Sequence, residues 1–155
     1  MFLAIFIIFI GGILVYKENF PNIDSNDYLA NKDESHRSVL SHTNDKSDKN
    51  SRSFEFKKFD GKWSLMQFTS DKGNEVNIND NTKISKGKFY IVILDSEYNI
   101  VAKKNEVNES GNIKFITPKD GKYNIRIVGA NASGTFDISV NGTNNIDVSH
   151  IDFFD

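Results

Sequence analysis

The chain has 155 residues, 38% of them hydrophobic, and its 19 basic and 21 acidic side chains leave a formal net charge of −2. That length holds one ordinary domain with attachments. The scattered, nearly cancelled charge gives no reason to expect nucleic acid as a partner, which normally needs a concentrated basic face. Because there is no cysteine, disulfide frameworks, thiolate zinc sites, cysteine nucleophiles and a lipid-modified cysteine anchor are excluded together. Any anchor is therefore a peptide segment.

Residues 1–16, MFLAIFIIFIGGILVY, contain no charged side chain, and the first charge is Lys17. A bilayer span needs about 20 apolar residues, with a lower limit near 17, so the segment is slightly short but strongly apolar. An uncleaved transmembrane signal anchor is preferred over a cleaved signal peptide or a buried soluble helix. No small-x-small cleavage site follows the apolar run, because Gly11 and Gly12 lie inside it. The expected partner of residues 1–16 is the lipid bilayer, with the rest of the chain extracytoplasmic in a single-pass arrangement. Lys17 and the missing basic n-region lean the other way under the positive-inside rule, and a start codon further upstream would account for both.

Residues 17–53 are dominated by Asn, Asp, Ser, Lys and Glu, with isolated apolar positions and no sustained period of 3.6 or 2.0. So little apolar surface does not repay the entropy of ordering, and a disordered linker is expected. His36 and His42 fall here near Asp33, Glu34 and Asp45. They read as solvated histidines, because metal ligands need an oriented frame.

From Phe54 onward the pattern alternates with period two, and Gly, Asn and Asp punctuate it. Phe54 and Phe56 open a strand, and Asp60-Gly61 reads as a tight turn. Trp63, Leu65 and Gln67 then share one face, with Met66 and Phe68 on the other. Asp71, Gly73 and Asn74 punctuate before Val76 and Ile78. The stretch KFYIVILD at 88–95 is apolar on both faces and predicts a central strand covered on each side. Asp95 to Asn99 is a turn, Ile100-Val101-Ala102 starts the return strand, and Ile113 and Phe115 alternate with polar neighbours. Asp120-Gly121 turns into a half-buried strand of Tyr123, Ile125 and Ile127, and a further turn at 131–134 precedes Phe136, Ile138 and Val140. About seven or eight short strands at spacings near 8–12 residues predict an all-β, antiparallel β-sandwich, jelly-roll-like in outline. The expected organisation is a membrane anchor at 1–16, a polar linker at 17–53, a sandwich at 54–141, and an edge strand or tail at 142–155.

The segments DGKYNIRIVG at 120–129 and GTFDISV at 134–140 resemble the closing hairpin of bacterial pre-peptidase C-terminal-type domains and similar secreted sandwiches. The resemblance implies a sandwich that assists binding or secretion in attached hydrolases, and no catalytic domain is expected within these 155 residues. The acidic calcium cluster of some such domains has no counterpart, so no cofactor is carried over. Abundant Asn, Lys, Ile and Asp with few Pro reads as the product of an AT-rich bacterial genome, in which the sequons at Asn108, Asn131 and Asn141 have no force.

No nucleophilic triad, P-loop, dinucleotide fingerprint or zinc helix is present in the sequence, and His150 is the one histidine near the strand region. The chain is read as a non-enzyme without cofactors. Asp71, Asn74 and Glu75 around Gly73 offer oxygen ligands to a calcium ion, but their spacing matches no calcium loop and a solvated hairpin loop is preferred. Trp63 and Tyr90 offer a sugar-stacking platform, with core packing preferred for both. The function expected is a membrane-anchored binding or structural module for a protein or glycan ligand. A carbohydrate-binding domain and a small secreted hydrolase are the alternatives.

Overall fold

The computed structural model describes residues 22–155. The expected anchor at 1–16 and the first part of the expected linker lie outside the described residues. Among those described, no helix is long and apolar enough to cross a membrane.

Among the described residues the fold is all-β, with one short helix, α1 (Asn26–Ala30), ahead of eight strands: β1 (Ser41–Ser47), β2 (Ser51–Ser70), β3 (Glu75–Asp80), β4 (Lys83–Asp95), β5 (Ile100–Asn105), β6 (Ile113–Ile116), β7 (Gly121–Gly142) and β8 (Asp147–His150). All pairings are antiparallel within one continuous sheet. The long strands β2 and β7 pair along nearly their whole length and organise the rest. Their first-half/second-half pairing is flanked by β1 and β3, and β3 carries β6. At the other end they are flanked by β8 and by β4, which carries β5.

The sheet folds over on itself into a sandwich-like arrangement. Phe54, Phe136, Val76 and Ile78 of one half therefore share a single apolar cluster with Trp63, Leu65, Ile91 and Ile125 of the other. The bend lies where the β2–β7 register shifts, between Phe56 and Gly61, and where the β4–β7 register shifts, between Ile84 and Lys88. Bulges add local twist and let a strand turn a corner without ending. Asp60-Gly61 and residues 131–134, expected as turns, are therefore corners inside β2 and β7. Gly61 bends with φ +103°, and a Cβ there would meet His36 O at 2.5 Å, so glycine is required on two counts. A second shift between Ser64 and Met66 changes the parity of β2. Leu65 and Met66 are consequently both fully buried, although strict alternation assigns them to opposite faces.

Residues 22–53, expected as part of a disordered linker, are instead packed against the sheet. Ile23 and Leu29 join Tyr90, Val92, Leu94 and Val128 in a second apolar cluster. They supply the cover that the two-faced apolar stretch of β4 demands, while Phe89, Ile91 and Ile93 face the main cluster. Ser25 caps α1, its side chain accepting from Tyr28 N at 3.2 Å. Arg126, also fully buried, fixes the segment by donating to Leu29 O and Asn31 O at 2.8 Å each and pairing with Glu34 at 2.9 Å. Two apolar side chains and one buried cation thus hold a segment that its composition alone would leave unfolded. The far end of the chain is an edge strand: β8 pairs with β2, and Arg37 donates to Asp155 O at 2.8 Å.

Candidate functional site

The sequence-predicted ligand residues do not converge. Trp63 is 1% exposed and Tyr90 8%, so neither offers a stacking face. Trp63 lies under the Arg52 guanidinium at 4.8 Å, and Tyr90 belongs to the cluster beneath α1. Asn74 is buried, its Nδ2 donating to Ser70 Oγ at 3.0 Å and its Oδ1 accepting from Asn144 N at 3.0 Å, while Asp71 and Glu75 point to solvent. This amide bolts the β2–β3 connection to the β7–β8 connection. Among the described residues no group of three His, Cys, Asp or Glu side chains is placed to hold a metal ion. His42, expected in solvent, packs edge-on against Phe54 at 4.6 Å and lies 3.2 Å from Asp45.

The structure assembles a different constellation from Asp80 at the end of β3, Lys104 in β5 and Glu106 just beyond it. The side chain of Asp80 is 0% exposed, that of Glu106 2% and that of Lys104 9%. Lys104 Nζ donates to Asp80 Oδ2 at 2.6 Å and to Gly111 O at 2.7 Å, and lies 3.3 Å from Glu106 Oε1. Asp80 also accepts from Thr82 N at 3.0 Å. Burial, the hydrogen bond to Asp80 and the Asp80 charge push Glu106 up to about 8, against the opposing Lys104. For Asp80, burial acts upward, but hydrogen bonds from Glu106, Lys104 and Thr82 outweigh it and hold the carboxyl below its ordinary value. Burial acts downward on Lys104, and its two carboxyl neighbours hold it above. Of the two carboxyls beside the ammonium group, Glu106 is thus pushed towards its neutral form and Asp80 towards its ionised form, because two adjacent buried carboxylates repel.

This triad forms part of the wall of an open cleft of about 770 Å³. Asn81, Thr82, Lys83, Glu109, Ser110, Thr135 and Asp137 complete most of the lining, so among the described residues no large apolar side chain faces it. The β5–β6 loop at its rim is ordered by its own hydrogen bonds, with Glu109 accepting from Asn105 N at 2.6 Å and Asn105 Oδ1 accepting from Val107 N at 3.1 Å. The arrangement offers fixed donors and acceptors to a polar ligand.

No protein-family model matches the chain, and no curated protein matches it. It is similar to a chain in the crystal structure of accessory secretory protein 1,2 and 3 in Streptococcus pneumoniae, at 12% identity with a TM-score of 0.40, over 73% of this chain and 93% of that one. A likeness that distant carries nothing about function.

Proposed function

We propose that the protein is a membrane-tethered, extracytoplasmic binding module without a catalytic centre of its own, and that the cleft beside Asp80, Lys104 and Glu106 is where it holds its ligand. The buried charged triad supports the binding reading. Desolvating three ionisable groups costs several kcal/mol each, and an apolar trio of the same volume would stabilise the fold as well or better. Such a cluster at the wall of an open cleft marks a functional-site candidate on physical grounds. Hydroxyl, amide, carboxylate and ammonium groups in the lining suit a hydroxyl- and amine-bearing ligand, a glycan or a peptide. With Trp63 and Tyr90 buried, a sugar would be held by hydrogen bonds and not by ring stacking. Accessory binding is also the role implied by the resemblance of residues 120–140 to pre-peptidase C-terminal-type domains. The tether reading is supported by the uninterrupted apolar sequence of residues 1–16.

Two measurements test this reading. Protease shaving of intact cells is expected to remove the domain; protection in intact cells with cleavage after lysis overturns the outside placement. Glycan and peptide arrays probed with the domain are expected to give a signal that Ser110→Trp abolishes, since Ser110 is an exposed residue of the cleft rim. A signal unchanged by that block assigns binding elsewhere.

A further inference from the structure

We infer that a basic corner of the domain docks on the anionic headgroups of the same bilayer that tethers the chain, an inference that rests on the tether reading above. Lys57, Lys58, Lys83 and Lys86 are dispersed in sequence, but the fold gathers them around one residue, Ser133 of β7. Lys83 pairs with Thr135 and Lys86 with Ser133 on one side of β7. On the other side Phe56 pairs with Gly134, and Lys58 N donates to Ser133 Oγ at 3.1 Å. The arrangement needs glycine at 134, because a Cβ there would run into the Lys83 carbonyl oxygen. All four lysines are exposed, and among the described residues none has an ion-pair partner.

The acids nearby offset part of this charge and leave the corner net positive. Glu55 shares a groove of about 390 Å³ with Lys57 and Lys83. Asp60 Oδ1 accepts from Asn131 N at 2.7 Å, and Asp24 is engaged by Lys88 at 2.6 Å. The acidic cleft opens on the far side of Lys83, which lines both hollows and is the one cation among the described residues to do so. At the same corner sits an exposed apolar residue: Leu40, 70% exposed, donates its N–H to Lys57 O at 3.0 Å. Lysines around a projecting leucine are the pairing that interfacial membrane contact uses, charge for the headgroups and an apolar side chain for the acyl boundary.

The position of the chain's entry favours the bilayer over a soluble anion. Residue 23 is already buried and Asp24 is bonded to Lys88, which pairs with Ala130 two residues beyond Lys86 in the same strand. The six residue steps from 16 to 22 span at most about 20 Å. The basic corner is therefore held close to the lipid surface, and lysine attraction acts over a Debye length of about 8–10 Å.

Residues 22–155 supply two apolar clusters, one of them with 21 buried side chains, and that fragment, which lacks the apolar segment, isolates the corner. Co-sedimentation with phosphatidylcholine vesicles is expected to be negligible, and addition of phosphatidylglycerol is expected to recruit the fragment in a salt-sensitive way. Lys57→Gln, Lys83→Gln and Lys86→Gln should each lower the partition coefficient about fivefold, and Leu40→Ser should lower it as well. Lys114→Gln and Lys122→Gln, which make the same charge change away from the corner, should leave it unaltered. Equal recruitment to both vesicle types, loss of recruitment on adding free glycerol phosphate, or indifference to the corner variants overturns the docking. Failure of the tether reading is separate and visible, since the full chain would then fractionate with the cytosol.

Discussion

Replacing Glu106 by Gln makes the raised Glu106 carboxyl measurable. The folded-state value of about 8 against an ordinary 4.5 means that the folded protein binds one more proton than the unfolded chain between those limits. Stability from this group is fully present below about 4.5 and is lost as pH rises through about 8. At 1.36 kcal/mol per pH unit the loss has a ceiling of about 5 kcal/mol. Gln keeps the shape and a donor towards Asp80 but cannot ionise. Urea unfolding of residues 22–155 from pH 5 to 9 should therefore show wild-type stability falling across the window while Glu106→Gln stays comparatively flat. The other two members act outside that window. Asp80, held low, contributes stability that is lost only as pH falls below its ordinary 3.8, and Lys104, held high, loses its contribution only above 10.5. Glu109, Asp137 and Lys83 face the same cleft and are common to both proteins, so they cancel in the comparison. Parallel wild-type and variant curves would refute the raised Glu106 carboxyl.

Arg126→Met removes the cation that binds Leu29 O, Asn31 O and Glu34. It should cost about 2–4 kcal/mol, because the carbonyls of Leu29 and Asn31 lose their buried donor while, among the described residues, Glu34 keeps only Ser64 and Arg37, and limited proteolysis should cut first within residues 22–40; unchanged resistance there refutes the clamp. Trp63, the sole tryptophan and 1% exposed, should fluoresce at short wavelength, resist acrylamide quenching in the folded domain, and shift red on unfolding. Ready quenching in the native state would restore it as a surface residue.

Much of the strand content was legible because β-strand burial is written in period two. Tyr123, Ile125 and Ile127 are buried, as their alternation requires, and β4 is central and covered on both faces; the expected half-buried character of the Tyr123 strand fails at Arg126, which lies on the opposite face and is buried under residues 29–34. The same parity carried a signal for the polar core. Asp80 continues the inward series of Val76 and Ile78, and Arg52 precedes Phe54 and Phe56 in phase. A charged residue on an inward face announces a buried pair, which the structure supplies through Lys104 and through Asp45. What parity leaves open is the partner, because Lys104 and Glu106 lie 24 and 26 residues beyond Asp80 in the chain with no motif linking them. Parity also fails at bulges, so Gly61 and residues 131–134 read as chain reversals when they are bends.

The sequence by itself determined the all-β class, the central strand, and the absence of thiol chemistry, since each follows from residue type and local spacing. Only tertiary structure decided that residues 22–53 are ordered, because their stability comes from covering β4 and from Arg126 far along the chain, and not from any apolar periodicity of their own. Tertiary structure also decided the electrostatics. A chain whose charges nearly cancel in number becomes a domain with an acidic cleft and a basic corner on either side of Lys83, because strand pairing brings together side chains that the sequence keeps apart.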